Sequence, residues 1–145
     1  MGIYLNPDSS KFEEAVNSDI YIDKTGLLAY SNSVLHTMQK YICVSRPRRF
    51  GKSIAANMLT AYYSCGCNSK ELFSEFEIAK NSEFERYLNR YNTISVNMLE
   101  FLSRSKDIYE LIHRFKALII RELKAEFPQI DYFDDTDLAQ CMQDI

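Results

Sequence analysis

The sequence has few residues that interrupt helices, since its 145 residues include only three prolines and four glycines. We therefore expect helices to dominate and loops to be few. No apolar run approaches the length of a membrane span, and the N-terminus lacks the basic start and apolar stretch of a signal peptide. These absences predict a cytoplasmic protein with no membrane partner.

Cysteines are also few, and only Cys65 and Cys67 lie close together in the sequence. Their one-residue separation is shorter than the spacing of a structural zinc site, and no second Cys/His pair lies nearby. The sequence therefore predicts neither a cysteine-bound metal nor disulfide bonds, which agrees with a reducing compartment.

A broad basic excess is missing as well, because 17 basic side chains are outnumbered by 20 acidic ones and the formal net charge is -3. Proteins that bind duplex nucleic acid non-specifically usually have the opposite balance, so direct nucleic-acid binding is not expected of the chain as a whole. One local exception exists, since four of the seven residues from Arg46 to Lys52 are basic. In an acidic chain, this concentration predicts a local anion site.

The basic segment lies between a predicted strand and a predicted helix. Residues 41–45 are apolar and rich in β-branched and aromatic side chains, as in a buried parallel strand. Residues 54–64 carry an apolar stripe at helical spacing. Residues 93–98 predict a second strand, and residues 106–127 predict the longest helix, which Pro128 would end. Shorter helices are predicted at residues 12–16, at residues 26–39 and from Leu138 onward.

The segment from Ser45 to Ser53 reads S-R-P-R-R-F-G-K-S. It matches the phosphate-binding P-loop template G-x-x-x-x-G-K-[S/T], except that Arg46 stands at the first glycine. Gly51 has no β-carbon, so the backbone could approach phosphate oxygens, and the start of the next helix would attract the anion. Lys52 would reach the β- and γ-phosphates, while the Ser53 hydroxyl would bind Mg²⁺.

These features predict a modified Walker A loop whose cofactors are ATP and Mg²⁺. If the missing glycine served a positive-φ turn, Arg46 would cost about 1–2 kcal/mol there, so we expect a P-loop with a modified start. The predicted nucleotide-binding residues are Arg46, Pro47, Arg48, Arg49, Phe50, Gly51, Lys52, Ser53 and Ile54, with Ser53 also the predicted Mg²⁺ ligand. The predicted fold class is α/β, a helix-rich, partial P-loop NTPase fold of three layers with an incomplete parallel sheet.

Longer strings flank the loop, namely Y-I-D-K-T-G-L-L from Tyr21 and A-A-N-M-L-T-A-Y-Y from Ala55. Together with the later strings L-F-S-E-F-E-I-A-K and I-S-V-N-M, they resemble the predicted AAA-ATPase-like family of bacterial proteins, in which arginine at the Arg46 position is usual. The resemblance implies a P-loop ATPase-like fold, often followed by a nuclease-like domain of the PD-(D/E)XK type. It also matches Tyr21, Asp23 and Lys24 to an upstream motif, which would either shape the nucleotide pocket or cap the next helix.

Hydrolysis by a P-loop enzyme needs an acidic residue at a second strand end to hold Mg²⁺. The candidates are Glu100 and the pair Asp134 and Asp135, but each follows too short or too mixed an apolar run. No catalytic residue is therefore assigned. We expect residues 1–145 to be the truncated N-terminal portion of an AAA-ATPase-like P-loop domain, which binds ATP but does not hydrolyse it alone. Its partners would be the nucleotide and the missing C-terminal part of the family architecture, with self-association also open.

Two further hypotheses stay open at the level of the sequence. The basic loop could belong to a module that grips nucleic-acid phosphates or an acidic partner. Alternatively, the chain could be a non-functional remnant whose exposed apolar surface promotes self-association.

Overall fold

The computed structural model describes residues 2–145, and their regular structure is helical. The helices are α1 (Ser10–Val16), α2 (Gly26–Val34), α3 (Lys52–Tyr63), α4 (Lys70–Phe73), α5 (Phe84–Tyr87), α6 (Met98–Ser103), α7 (Ile108–Glu126) and α8 (Leu138–Gln143), with a 3₁₀ helix at Glu77–Lys80. None of the helices in this part of the chain is long and apolar enough to cross a membrane.

The predicted α/β fold class with an incomplete parallel sheet is wrong, because residues 2–145 contain no β-strand. Strand-like pairing is limited to two isolated bridges, one antiparallel between Leu5 and Ile94 and one parallel between Ser64 and Tyr91. Residues 41–45 are coil and exposed to solvent, and their backbone has no hydrogen-bond partner in the described structure. A β-rich segment becomes a strand only when a neighbouring strand takes its N–H and C=O groups, and here none does.

The second strand prediction fails for a different reason. Around residues 93–98, the chain pairs with the N-terminal segment only briefly, where the Ser95 N–H donates to the Tyr4 carbonyl over 2.9 Å. The Asn97 side chain then accepts the Leu99 N–H over 3.1 Å and caps α6. A side chain that accepts an N–H group at the start of a helix favours the helix over extension of a strand. At Asn97 the chain therefore begins α6 and does not continue as a strand.

The helix predictions are confirmed, with shifted ends. The predicted helix at 26–39 ends at Val34, since Ser31 and Ser33 turn their hydroxyls onto carbonyls of the preceding turn. The longest helix, α7, begins after Asp107, whose carboxylate accepts the Glu110 N–H over 2.8 Å.

The chain divides into two compact units, and the predicted loop belongs to the unit formed by residues 6–93. In this unit α1 packs on α3, and α2 packs on the 3₁₀ helix. Its core is aromatic, with Phe12 stacked on Phe73 at 5.3 Å between ring centroids. The buried members are Phe12, Leu28, Met58, Ala61, Tyr62, Phe73, Ile78, Phe84, Tyr87 and Leu88. Burial of these side chains fixes the position of α3, whose first turn forms the last part of the predicted loop.

The Asn89 side chain makes several hydrogen bonds to the C-terminal end of α3. The Asn89 amide donates to the carbonyls of Ala61, Tyr62 and Ser64 over 3.0, 3.3 and 3.1 Å. Asn89 itself has a left-handed backbone with φ 54°, which asparagine tolerates better than most residues. Because the last carbonyls of a helix have no N–H partner within the helix, the Asn89 amide provides hydrogen-bond donors for them.

The other unit consists of Ile94–Ile145 with the N-terminal residues up to Leu5. Here α7 packs against α6 and α8 around a core of Leu5, Ile119, Ile120, Leu123 and Cys141. The Glu122 carboxylate accepts the backbone N–H groups of Ile3, Tyr4 and Leu5 at 3.0, 2.9 and 2.8 Å. One carboxylate therefore attaches the N-terminal segment to α7.

Candidate phosphate-binding loop

The loop ends in a left-handed glycine. Gly51 has φ 76° and ψ 25° and is the N-cap of α3, which begins at Lys52. A residue with a β-carbon would be strained in this conformation, so glycine is needed at this point. The prediction that Lys52 lies where a loop passes into a helix is therefore confirmed, with the helix beginning two residues before the predicted position 54.

Free backbone N–H groups lie at the start of α3. The first bond of the helix joins the Ala55 N–H to the Gly51 carbonyl over 2.9 Å, and no side chain caps the helix. The N–H groups of Lys52, Ser53 and Ile54 have no acceptor among the described residues. Because the positive end of a helix dipole lies at the same place, this is a favourable position for an anion.

The Lys52 ammonium turns back over the loop. It donates to the Pro47 carbonyl over 3.0 Å and also to the Arg46 carbonyl. These contacts hold the first residues of the loop close to the start of α3. The positive charge of Lys52 therefore lies at the first residues of the loop.

The loop arginines have no ion-pair partner among the described residues. Arg46, Arg48 and Arg49 are exposed, and none of them forms an ion pair within residues 2–145. Arg49 has a left-handed backbone with φ 67°, which costs an arginine about 1–2 kcal/mol. Arg46 is not among the positive-φ residues, so the cost that a positive-φ turn would have imposed on Arg46 does not arise. The strained position of the loop is thus Arg49, which no pattern in the basic run identifies.

Another lysine reaches the loop from a distant part of the chain. Lys24 donates from its ammonium to the Phe50 carbonyl over 3.1 Å, across 26 positions of sequence. A β-carbon on Gly51 would lie 2.7 Å from the Lys24 ammonium nitrogen. The family resemblance matched Lys24 to an upstream motif, and the structure brings that motif to the loop. Sequence spacing alone carried no signal for this contact.

Asp23 fixes the backbone that carries Lys24. Its two carboxylate oxygens accept the N–H groups of Thr25 and Glu77 over 2.8 and 3.0 Å. Partial burial raises the pKa of the Asp23 carboxyl, but these backbone donors outweigh it and hold the pKa below 3.8. The fully buried Thr25 adds a bond to the Ile78 N–H, and Thr25 is the N-cap residue of α2. The capping interpretation of Asp23 is wrong in detail, since the carboxylate joins α2 to the 3₁₀ helix.

The remaining predicted site residues are exposed. Ser53 lies in the first turn of α3, Phe50 is 61% exposed and Ile54 is 38% exposed. Residues 2–145 contain no group of three or more His, Cys, Asp or Glu side chains that could hold a metal ion.

The acidic candidates for a second Mg²⁺ contact are engaged elsewhere. The Asp134 carboxylate accepts the N–H and hydroxyl of Thr136 over 2.9 and 2.7 Å. The bond from the Thr136 hydroxyl is the main reason that the pKa of Asp134 is lowered. Asp135 forms an ion pair with Lys124 at 2.6 Å. Glu100 lies within α6, so it does not follow a strand as a Mg²⁺-binding acid of a P-loop enzyme does.

One family of known sequences matches nearly the whole chain, including the loop. The family described as predicted AAA-ATPase matches residues 9–145, nearly the whole chain, and the chain belongs to this family. No curated protein and no solved structure matches it. The resemblance that the strings around the loop suggested is therefore confirmed.

Proposed function

We propose that the chain binds a nucleoside triphosphate, ATP with Mg²⁺, through the loop from Arg46 to Ile54. The observation that carries this function is the start of α3. There a left-handed Gly51 precedes the backbone N–H groups of Lys52, Ser53 and Ile54, which have no acceptor among residues 2–145. Such a helix start favours an anion with several oxygens.

Each part of the loop has a role in this proposal. The free N–H groups of α3 would hold phosphate oxygens, and Lys52 would exchange its carbonyl contacts for the β- and γ-phosphates. The exposed Ser53 hydroxyl would contribute one oxygen ligand to Mg²⁺. Arg46, Arg48 and Arg49 add uncompensated positive charge, which raises the local concentration of an anionic ligand.

The proposed activity is binding without hydrolysis by this chain alone. A P-loop ATPase holds Mg²⁺ with an acidic side chain in addition to the loop hydroxyl. Asp134 and Asp135 already bind Thr136 and Lys124 in the described structure. Membership of a predicted ATPase family supports the nucleotide as ligand.

Titration calorimetry with Mg-ATP tests the proposal. Lys52→Ala removes the charge that would contact the phosphates, so its affinity should fall by about tenfold or more, the usual effect of losing a charge-assisted hydrogen bond. Lys11→Ala is the matched control. It removes an equal charge from an exposed position of α1 and should leave the affinity unchanged. Equal heats from Lys52→Ala and the unaltered protein would refute the proposal. Salt-sensitive binding of DNA or RNA that ATP does not displace would favour a nucleic-acid-binding module instead.

A further inference from the structure

We propose that Lys24 is a second phosphate-binding lysine of the loop, which leaves the Phe50 carbonyl to bind the polyphosphate of the nucleotide together with Lys52. Because this role rests on the nucleotide-binding function proposed above, its test must separate the failure of one from the failure of the other. No feature of the P-loop template assigns a lysine from so far upstream.

The geometry places the Lys24 ammonium against the glycine that begins α3. Its nitrogen is 3.1 Å from the Phe50 carbonyl oxygen and 2.7 Å from the position that a Gly51 β-carbon would occupy. Gly51 precedes the three free N–H groups of α3 directly. A phosphate held by those groups would therefore lie within the range of a flexible lysine side chain that starts from this position.

The Lys24 backbone is anchored while its ammonium is exposed. Asp23 bonds to Thr25 and Glu77 on one side, and the buried Thr25 bonds to Ile78 on the other. The only hydrogen bond of the ammonium within residues 2–145 goes to one neutral carbonyl. Since the backbone of Lys24 is anchored, only its side chain has to move when the ammonium exchanges the Phe50 carbonyl for another partner. The exchange therefore costs little free energy.

The charge of Lys24 has no carboxylate partner in the described residues. Most exposed lysines need none, but this one meets a loop that already contains Arg46, Arg48, Arg49 and Lys52. Like charges in one place repel one another and are stabilised when an anion binds among them. A polyphosphate is the ligand whose charge and length suit several cations along a loop, whereas a single carboxylate would leave most of them unpaired.

Two substitutions separate a phosphate contact from a merely structural bond to the loop. Lys24→Gln keeps a hydrogen-bond donor for the Phe50 carbonyl but loses the charge, and Lys24→Arg keeps the charge. We expect Lys24→Gln to bind both Mg-ATP and inorganic tripolyphosphate about tenfold more weakly, and Lys24→Arg to retain most of the affinity. Lys11→Gln is the control for loss of one positive charge elsewhere in the same unit. Unchanged affinity of Lys24→Gln, alongside weakened binding by Lys52→Ala, would overturn the role of Lys24 and leave the proposed function standing.

Chemical labelling gives a readout that does not depend on substitution. An amine acylating reagent should modify Lys24 in the free protein, because its ammonium is exposed. Mg-ATP or tripolyphosphate should slow that reaction severalfold, while acylation of Lys11 in the same sample keeps its rate. Protection of Lys52 without protection of Lys24 would contradict the inference, and protection of neither lysine would contradict both proposals.

Discussion

The ammonium nitrogen of Lys24 lies 2.7 Å from the point where a β-carbon on Gly51 would be. Position 51 therefore disfavours a side chain through its left-handed backbone with φ 76°, and a β-carbon there would also displace the flexible Lys24 ammonium. The contact joins the start of α3 to the segment before α2 within one compact unit. It brings the upstream motif of Tyr21, Asp23 and Lys24 to the loop.

Gly51→Ala should destabilise the protein by about 1–2 kcal/mol through backbone strain, and it should also weaken Mg-ATP binding because Lys24 is displaced. Gly26 provides the control. It begins α2, and a β-carbon there would meet nothing within 4 Å. Gly26→Ala should be neutral or should stabilise by up to about 1 kcal/mol. Chemical denaturation of both variants measures the difference, and equal stability of the two would contradict the geometry at Gly51.

Asp23→Asn should reduce stability by about 1 kcal/mol at neutral pH, a small value because the carboxylate is partly exposed to solvent. The pKa of Asp23 in the folded protein is below 3.8, so the folded state binds the proton less tightly than the unfolded state. The stabilisation is then present above about pH 4 and is lost as the pH falls through the folded pKa. Denaturation curves at several acidic pH values should show the variant converging on the unaltered protein. Asp19→Asn, which replaces an exposed carboxylate in the same unit, should match the unaltered protein in stability at neutral pH.

Tyr63 should make the protein less stable at alkaline pH. Burial raises the pKa of its hydroxyl to about 12, and the hydroxyl bonds to Asn32 over 2.7 Å and to Ser31 over 2.6 Å. The folded state holds this proton more tightly, so its stabilisation is complete below about pH 10 and is lost as the pH rises towards 12. Tyr63→Phe should lower the stability by about 1 kcal/mol near neutral pH. Between about pH 10 and pH 12, the variant should lose less stability than the unaltered protein does. Equal alkaline slopes for both proteins, measured by denaturation, would count against the buried hydroxyl.

Asn89 should be among the most sensitive polar positions. Asn89→Ala removes three hydrogen bonds from the end of α3 and places a less tolerant residue at φ 54°, so a loss of about 2–4 kcal/mol is expected. Asn89→Gly loses the same bonds but relieves the backbone, and it should be more stable than the alanine variant by about 1 kcal/mol. Thermal unfolding of the pair measures this difference. A glycine variant no more stable than alanine would mean that strain at position 89 is negligible.

The sequence identified the start of α3 because the chemistry of Gly51, Lys52 and Ser53 is local. It failed at residues 41–45, since a strand depends on neighbours that a local pattern does not reveal. It also gave no sign that Lys24 meets Gly51, because that contact depends on how Asp23 and Thr25 join α2 to the 3₁₀ helix. The strain at Arg49 was equally hidden, as nothing in a basic run marks which residue adopts a positive φ.

The central claim is that the start of α3 holds the polyphosphate of a nucleotide. Amide NMR spectra of the ¹⁵N-labelled protein, recorded during titration with Mg-ATP, test it most directly. The largest shifts should fall on the backbone N–H groups of Lys52, Ser53 and Ile54, which have no acceptor in the described structure. Lys52→Ala should strongly reduce those shifts at the same ATP concentration, in line with its weaker affinity. Shifts that spare α3, or that are unchanged by Lys52→Ala, would contradict the account.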